Sequence, residues 1–402
     1  MTSSLNTRFH LRLSEIDATA WNALLPDDNP FLDHAFLSGL EQHGCLRPGH
    51  GWIPHHLGLY RNGKLVAAAP AYVKTNSHGE YVFDWSWANA YTRHGLDYYP
   101  KLLCAVPYSP VTGPRLLTGN GPDAGTLRRE LVGAMRAEAE RQGWSSAHLN
   151  FAAEADASAF ADDDWLPRFD WQFHWSNQGW RDFPEFLQSL TAKKRKNIRQ
   201  ERERVSRAHV DCEIVAGHEL TDADWTMVHE LYLSTFSEKG NYPALTEGFF
   251  RHLGTGMPGR VLVVRARRGG RWIAAALLLR SRDTLYGRYW GCSENVPGLH
   301  FEVCYYQGIE HCLRNGLQRF EPGAQGEHKL ARGFLPTMTR SFHWLADLRF
   351  RSAVRDALAH EGTALHAYHA ELMAHSPYVS DSFPARPHGD AEGGCGPESR
   401  PR

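Results

Sequence analysis

The fold is decided by a spaced pattern of aromatic residues that occurs once near the end of each half of the chain. It reads Phe151, Trp165-Leu166-Pro167 and Phe173-His174-Trp175 in the first half, and Phe320, Phe334-Leu335-Pro336 and Phe342-His343-Trp344 in the second. Every position in one copy lies 169 residues from its counterpart. A period of this length is far beyond that of solenoid repeats, and it indicates the duplication of a whole domain.

A second matched pair lies earlier in each half. Asn62-Gly63-Lys64-Leu65-Val66-Ala67-Ala68-Ala69 corresponds to Gly269-Gly270-Arg271-Trp272-Ile273-Ala274-Ala275-Ala276, which begins 207 residues later. In both copies the turn joins two β-rich runs, which is typical of a hairpin. Because the two offsets, 207 and 169, differ by 38 residues, we predict an aromatic-rich insertion in the first half, at about residues 76–120.

After the hairpin, the sequence of each half predicts a helix and then a short strand. The helices are expected at about residues 126–142 and 299–315, each ended by a glycine, and the strands at 147–151 and 317–320. The resulting fold class is α/β with mixed sheets, built from two tandem domains at 1–175 and 176–374. Residues 375–402 contain too little apolar material to fold and are predicted to be a disordered tail.

Composition excludes several classes of protein. The chain has 402 residues, of which 42% are hydrophobic and 22% charged, as expected of a soluble protein with two domains. The longest apolar run, residues 273–279, is too short to span a membrane, and no secretory leader is recognisable. The seven cysteines include no Cys-x-x-Cys pair. We therefore predict a cytoplasmic protein without disulfides or a metal site, although His300 and Cys304 stand one helical turn apart.

The charge is concentrated in one segment. Residues 193–204 hold seven bases and two acids, whereas the net charge of the chain is −1. The segment follows Thr191, a suitable N-cap, and its only apolar stripe is Ile198 and Val205, so it predicts a helix with one narrow buried edge. Such a helix is either a solvated surface or a contact for a phosphate or another polyanion, made by residues that include Lys193, Lys194 and Arg195.

A reactive group of side chains follows the last strand of the second half. Glu327, His328, Lys329 and Arg332 lie in a loop that also contains three glycines. Such a set of side chains offers a base that can take a proton and a cationic donor that can stabilise a developing oxyanion. We predict Glu327 or His328 as the base and Lys329 or Arg332 as the donor, with the alternative that the loop is an ion-paired surface.

Further candidate residues lie in the helix before this loop and in the insertion. Glu302 and Tyr305 are expected close to the reactive loop. The insertion is dense in aromatic residues, and Asp84, Trp85, Tyr99 and Lys101 are predicted to line a groove for a sugar or peptide acceptor. The same density also fits the core of an enlarged lobe. His174 and His343 recur at equivalent positions, which favours a structural role over catalysis for both.

Several of these motifs resemble a known family. The stretches that carry the resemblance are Phe83-Asp84-Trp85, Tyr98-Tyr99-Pro100-Lys101, Thr112-Gly113-Pro114-Arg115, Lys193-Lys194-Arg195-Lys196-Asn197-Ile198-Arg199, Gly298-Leu299-His300-Phe301-Glu302-Val303-Cys304-Tyr305-Tyr306, Gln325-Gly326-Glu327-His328-Lys329 and Arg332-Gly333-Phe334. They are similar to bacterial predicted N-acyltransferases of the GNAT superfamily, in its FemAB-like branch, which are linked to peptidoglycan biosynthesis or recognition. The order of hairpin, helix and crossing strand resembles the same fold, and the resemblance covers nearly the whole chain except the tail.

The resemblance implies an N-acyltransferase that moves an acyl or aminoacyl group from an activated donor to an amine. The donor would be acyl-CoA or aminoacyl-tRNA, bound as a co-substrate and not as a tight cofactor. The acceptor would be a cell-wall precursor or a small metabolite. The resemblance therefore implies tRNA as a potential partner. It implies neither binding of DNA nor a membrane span. The oligomeric state stays open. The alternative is a non-catalytic protein that recognises a cell-wall or nucleotide-linked ligand.

One segment departs from the GNAT pattern. GNAT enzymes hold the pyrophosphate of acetyl-CoA on backbone amides of a glycine-rich loop at the start of the central helix. Here the corresponding residues, 291–298, include Glu294, which is acidic, and Pro297, which has no amide hydrogen. The equivalent residues 118–122 of the first half are glycine-rich but also off the pattern. Both donors therefore stay open at this stage.

Overall fold

The computed structural model describes residues 5–161, 164–239, 243–324 and 326–379. The strands of the first half are β1 (Leu5–His10), β2 (Trp52–Pro54), β3 (His56–Arg61), β4 (Lys64–Ala69), β5 (Ala71–Lys74), β6 (Lys101–Cys104), β7 (Ser146–Leu149) and β8 (Leu166–Ser176). Its helices are α1 (Ala18–Asn22), α2 (His34–Gln42), α3 (Trp85–Arg93), α4 (Ala124–Gln142) and α5 (Glu154–Ala157).

The second half repeats this order. Its strands are β9 (Val210–Ala216), β10 (Val261–Arg268), β11 (Arg271–Arg280), β12 (Thr284–Cys292), β13 (Arg319–Glu321) and β14 (Leu335–Leu345). Its helices are α6 (Phe183–Gln188), α7 (Ala192–Arg207), α8 (Asp222–Lys239), α9 (Glu247–Gly256), α10 (Leu299–Phe301), α11 (Gln307–Asn315) and α12 (Leu348–Ala374). A π-helical turn, Glu302–Tyr306, joins α10 to α11, and a 3₁₀ helix covers Glu327–Arg332.

The two halves correspond strand by strand. In the second half, β9, β10, β11 and β12 pair in antiparallel order, and β12 then pairs with β13 in parallel. In the first half, β1, β3 and β4 pair in antiparallel order, β5 pairs with β6 in the same way, and β6 pairs with β7 in parallel. This correspondence confirms the predicted tandem GNAT-like fold.

The hairpin of the first half is bent at Pro70. Trp52 lies opposite Lys74 and Leu57 lies opposite Ala69, so β2–β5 and β3–β4 continue one register. Proline has no amide hydrogen for the ladder and interrupts a strand. The bend divides the hairpin between a three-stranded sheet and the large sheet, while the hairpin of the second half stays within the large sheet. The two hairpins nevertheless occupy equivalent places, as duplication predicts.

The last strand of each half is inserted into the sheet of the other. In the described residues, eleven strands form one sheet in the order β2-β5-β6-β7-β14-β8-β13-β12-β11-β10-β9. β8 and β14 pair with each other, and Asp170 lies opposite Thr339, its counterpart 169 residues later. A pseudo-two-fold axis therefore passes through this pair. The boundary at residue 175 stays a prediction, and the exchange means that the last strand before it lies within the sheet of the second half.

The two predicted helices differ in regularity. The helix predicted at 126–142 is α4, and Gly143 follows it in the left-handed conformation. The helix predicted at 299–315 also has the expected ends, but five of its residues form the π-helical turn. Such a turn inserts one residue into the helix and is found most often at functional sites. The regular spacing of apolar residues did not reveal this turn.

The basic helix forms as predicted. It is α7, and its buried side chains are Ile198 and Val205. Gly298, at the start of α10, approaches α7 so closely that a Cβ atom would lie 2.8 Å from the carbonyl oxygen of Glu201. Its φ of +92° is also a conformation that favours glycine. The helix that begins at Gly298 is thereby held against the basic helix.

Three aromatic residues of the insertion belong to a separate small core. Trp87, Tyr91 and Tyr98 are buried together with Val354 of α12. This observation favours the reading of the insertion as an enlarged lobe for these three residues. Trp85 is different, since 42% of it is exposed.

The structure moves the predicted start of the tail. Tyr378 is buried, and its hydroxyl donates a hydrogen bond of 2.6 Å to the carbonyl oxygen of Gly333. The prediction of a tail from residue 375 is therefore wrong for 375–379, because one aromatic side chain anchors this segment in the core. The rest of the predicted tail lies outside the described residues. Within the described ranges, no helix is both long and apolar enough to cross a membrane.

Candidate functional site

A cavity opens where β12 and β13 diverge. The two parallel strands pair only from Thr284–Arg319 to Tyr286–Glu321, and β12 then continues to Cys292 without β13. The gap encloses a cavity of about 200 Å³, which we call the splay cavity. We call the continuous helix formed by α10, the π-helical turn and α11 the central helix. The polar or aromatic lining residues of the cavity are Arg288, Tyr289 and Trp290 from β12, His300, Cys304 and Tyr305 from the central helix, and His328 and Lys329 from the loop after β13.

β12 carries a bulge beside this cavity. Leu277 of β11 lies opposite Tyr289, and Leu278 lies opposite Gly287, so Arg288 has no residue opposite it. A bulge leaves the extra residue unpaired in the ladder and redirects the strand. Backbone N–H groups outside a ladder are suitable donors for an oxyanion. The bulge therefore places Arg288 outside the β11–β12 ladder at the wall of the splay cavity.

His328 and Tyr305 form a pair at the mouth of the cavity. The Tyr305 hydroxyl lies 2.8 Å from Nε2 of His328. Burial lowers the pKa of His328, and the nearby Arg332 and Lys329 lower it further. Burial also raises the pKa of Tyr305, so the phenol stays protonated. A neutral imidazole oriented by a phenol can accept a proton from an amine near neutral pH.

Lys329 lies deeper than His328. It is only 2% exposed, and its Nζ donates a hydrogen bond of 2.7 Å to the carbonyl oxygen of Gly323. Burial lowers the pKa of Lys329 to about 8. The ammonium form dominates near pH 7, and it carries three N–H donors of which one serves Gly323. Lys329 is thus able to stabilise negative charge within the cavity.

A groove continues from the cavity to the start of the central helix. It has a volume of about 550 Å³, is lined by Trp290 and residues 292–301, and shares Trp290 and His300 with the splay cavity. Anionic groups are stabilised at such helix starts. The negative charge of Glu294 opposes anion binding only in part, because Arg268 and Arg271 both donate hydrogen bonds to its carboxylate. The groove thus suits a phosphate-bearing group, although Pro297 offers no amide hydrogen.

The other predicted residues of the second half do not line the splay cavity. Glu327 is exposed and accepts a hydrogen bond of 2.6 Å from the hydroxyl of Tyr368. Glu302 accepts two hydrogen bonds of 3.0 Å from Arg202. Arg332 donates to Glu201 at 2.6 Å. Glu302 and Arg332 therefore fasten the basic helix to the elements around the cavity, and Glu327 lies on the outer side of the loop.

The basic helix presents its first turn unevenly. Lys193 is exposed and Lys194 is half-buried, whereas Arg195 donates hydrogen bonds to the carbonyl oxygens of Leu190 and Gln188 at 3.1 and 3.3 Å. Two of the three predicted phosphate contacts are thus accessible. Arg195 instead caps the end of the preceding helix.

The predicted residues of the first half form a separate cluster. Lys101 is fully buried and donates to Glu80 at 2.8 Å and to Asp84. Tyr99 shares Ser77 with this cluster through a hydrogen bond of 2.6 Å, while Trp85 lies outside it, beside His78. None of the predicted residues Asp84, Trp85, Tyr99 and Lys101 lines the splay cavity.

His174 and His343, to which the sequence assigned structural roles, both lie buried in the exchanged strands. Nδ1 of His343 lies 2.8 Å from Nδ1 of His148, so β14 is joined to β7 of the first half. His174 pairs with Gln172 at 3.1 Å. Both therefore make structural contacts.

Five polar or aromatic residues of the cavity wall on β12 and the central helix are absent from the predicted site residues. They are Arg288, Tyr289, Trp290, His300 and Cys304. The sequence does contain a signal for Arg288, because it is the one charged residue between Thr284 and Cys292. A cation within an otherwise uncharged strand requires a partner or a ligand.

The fold defines a class of protein, that of two-lobed chains with the GNAT-like fold. The chain belongs to the FemAB-like family, described as peptidoglycan biosynthesis/recognition, which it matches over residues 12–380. This match confirms the enzyme class predicted from the sequence, a transferase of acyl or aminoacyl groups. No match was found among curated proteins.

Solved structures with a similar fold include the C-terminal domain of a putative lysylphosphatidylglycerol synthetase from Agrobacterium fabrum. It is 13% identical, the match covers 86% of this chain and 96% of that one, and the TM-score is 0.52. FemX matches at 9% identity over 87% of this chain and all of its own, with a TM-score of 0.49. A tandem GNAT protein from the clavulanic acid biosynthesis pathway matches at 12% identity over 86% and 99%, with a TM-score of 0.46. At such identities the likeness concerns the fold alone.

Proposed function

We propose that this protein transfers an acyl or aminoacyl group to an amine within the splay cavity. The observation that carries the proposal is the meeting of His328, Lys329 and Tyr305 at the point where β12 and β13 diverge. A proton acceptor, a cation and a bulged strand there surround a space large enough for a small acyl group and an amine. A non-catalytic binding protein would not require this combination.

The proposed step is attack of a neutral amine nitrogen on the carbonyl carbon of the donor. A C–N bond forms, and the bond from the carbonyl carbon to the sulfur or oxygen of the leaving group breaks. His328 takes the proton from the amine nitrogen, directly or through one water. Lys329 and the backbone at the bulge stabilise the oxyanion. The departing thiolate or alkoxide receives a proton as it leaves.

The donor would lie along the groove at the start of the central helix. Acyl-CoA and aminoacyl-tRNA both carry phosphates on the leaving group, so either suits a helix N-terminus. The acceptor would be an amine of a cell-wall precursor or of a small metabolite. With aminoacyl-tRNA as the donor, Lys193 and Lys194 of the basic helix would contact the phosphate backbone.

The test measures transfer by the full chain with each donor class separately. Release of free CoA from a panel of acyl-CoAs and deacylation of charged tRNA are followed with and without an extract of amine-bearing cell-wall precursors. We expect one donor class to turn over. His328→Ala should lower turnover about 10²- to 10⁴-fold, as loss of a general base usually does. Lys329→Ala should lower it about 10²- to 10³-fold, as loss of an oxyanion donor does.

Matched controls are His360→Ala and Lys64→Gln, because both residues are exposed and lie on α12 and at the hairpin turn. Each should retain wild-type turnover. Folding of every variant is checked by thermal unfolding, since Lys329 is buried. Full activity of both site variants would place the chemistry elsewhere. Donor binding without any transfer would instead favour a binding protein.

A further inference from the structure

Arg288 is a buried cation with one edge unoccupied. Its side chain is 3% exposed, and Nη1 donates a hydrogen bond of 2.7 Å to the carbonyl oxygen of Gly287. Nε and Nη2 have no hydrogen-bond partner in the described part of the chain. These two nitrogens form the same edge of the guanidinium plane, the edge that binds a carboxylate through two parallel hydrogen bonds. Buried polar groups are rarely left unpaired in this way.

The charges around Arg288 are also unbalanced. The nearest carboxylate, that of Glu321, approaches Nη2 only to 3.9 Å, and its Oε2 has no hydrogen-bond partner among the described residues. Burial raises the pKa of Glu321 to about 7, so its negative charge is incomplete near neutral pH. Lys329 is a second buried cation of the same cavity. Two buried cations thus border the cavity, and the carboxylate nearest to Arg288 is only partly ionised near neutral pH.

The position of Arg288 distinguishes the two substrates. Its guanidinium carbon lies 4.5 Å from the ring centre of Phe31 and 5.4 Å from that of Tyr286. Both rings belong to the hydrophobic core on one side of the large sheet, whereas Tyr305 and the central helix belong to the core on the other side. The groove for the donor follows the central helix. The guanidinium of Arg288 therefore lies on the side of the sheet opposite the central helix.

We infer that Arg288 binds a carboxylate of the acceptor, which makes the acceptor an amine that also carries a carboxylate, such as an amino acid or a short peptide. The inference rests on the proposed function, since it names the substrate of the same cavity. The guanidinium would hold the carboxylate through Nε and Nη2, and the amine would then lie toward His328 and the donor carbonyl. A fixed carboxylate orients the amine for attack.

The experiment measures binding without a donor, so that its outcome is independent of transfer. Common amino acids and dipeptides, each paired with its own C-terminal carboxamide, are titrated into the full chain by calorimetry or saturation-transfer NMR. We expect at least one free acid to bind about 10- to 100-fold more tightly than its amide, the range for hydrogen bonds to charged groups. Arg288→Gln should abolish this preference, and Arg288→Lys should restore only part of it, because lysine lacks the fork.

Two further variants sharpen the result. Glu321→Gln removes the competing acid and should strengthen binding of the free acid. Arg349→Gln is the matched control, since Arg349 is exposed on α12, and should leave the preference unchanged. The inference is overturned if no free acid is preferred by the wild type, or if folded Arg288→Gln and Arg288→Lys both keep the preference. Inorganic phosphate is added as a competitor in the same titrations. The inference is also overturned if Arg288→Gln removes the binding of phosphate but leaves the preference for the free acid unchanged.

Discussion

Equivalent strands of the two halves each carry a buried cation, and the two cations differ in their hydrogen-bond partners. Lys101 lies on β6 and Arg288 lies on β12, the strands that pair in parallel with β7 and β13. Lys101 is surrounded by its own partners, Glu80, Asp84 and the hydroxyl of Ser77. Arg288 has one edge without a partner among the described residues and borders a cavity.

The electrostatics of the Lys101 cluster are dominated by the pair of Lys101 and Asp84, because burial raises the pKa of the second acid, Glu80, to about 7. Burial acts to lower the pKa of Lys101, but the two carboxylates outweigh burial and raise it. Burial acts to raise the pKa of Asp84, and Lys101 together with hydrogen bonds lowers it to about 2. Both groups are therefore charged over the physiological range. Such a network orders its lobe and leaves little capacity for a ligand.

From the sequence, the Lys101 cluster is predicted to line a groove for the acceptor, whereas Arg288 is not among the predicted site residues. The difference teaches that compensation of charge separates them. A buried cation whose partners are all present stabilises a particular arrangement of the chain. A buried cation beside a cavity, with donors left over, is ready to bind an anion.

The largest expected effect is the loss of stability on removal of Lys101. Lys101→Met leaves Glu80 and Asp84 buried without their cation, which should lower the free energy of unfolding by about 3 to 5 kcal/mol. The midpoint of urea unfolding measures this change. Lys64→Met, at an exposed position of the hairpin, is the control. A midpoint for Lys101→Met within the error of the control would mean that the network contributes no stability, and the comparison would then fail.

A smaller effect is expected from pH on the activity that depends on Lys329. Because Lys329 must be charged to stabilise the oxyanion and its pKa is about 8, kcat/KM should fall about tenfold per pH unit above that value. Lys329→Arg keeps its charge throughout this range and should remove the falling limb, even where its overall rate is lower. If the limb persists in Lys329→Arg, another group is responsible for it.

The smallest effect concerns the exposed cations of the basic helix. Lys193→Gln combined with Lys194→Gln should reduce the salt dependence of tRNA binding, by a slope of up to about 2 on a double-logarithmic plot, if both lysines contact phosphates. Arg195→Gln should change this slope less, since Arg195 is held by the carbonyl oxygens of Leu190 and Gln188. Dissociation constants at several salt concentrations provide the measurement. An unchanged slope in the double variant would identify the helix as ordinary solvated surface.

Much of the fold could be predicted because it depends on local chemistry. The turns at Asn62-Gly63 and Gly269-Gly270, the glycines that end the two central helices, and the single apolar stripe of α7 each act within a few residues. Each of these predictions is confirmed. The structure places His328 and Lys329 of the predicted loop on the wall of the splay cavity, and their role as site residues stays a prediction.

The rest could not be predicted because it depends on contacts between distant segments. Glu302 is bound by Arg202 and Arg332 by Glu201, which lie 100 and 131 positions earlier in the chain, so spacing along the sequence does not reveal these contacts. The bulge at Arg288 arises from the register between β11 and β12, which residue spacing in one strand does not encode.

The sequence by itself determined the duplication, the order of the elements and the family, because repeats and local patterns are written along the chain. Only the tertiary structure decided that the last strands are exchanged and that β12 and β13 diverge. It also decided that Lys101 is hydrogen-bonded to two carboxylates, whereas the one acid beside Arg288, Glu321, stays 3.9 Å away. The physical reason is that burial and pairing of a charge depend on which distant atoms share its low-dielectric surroundings.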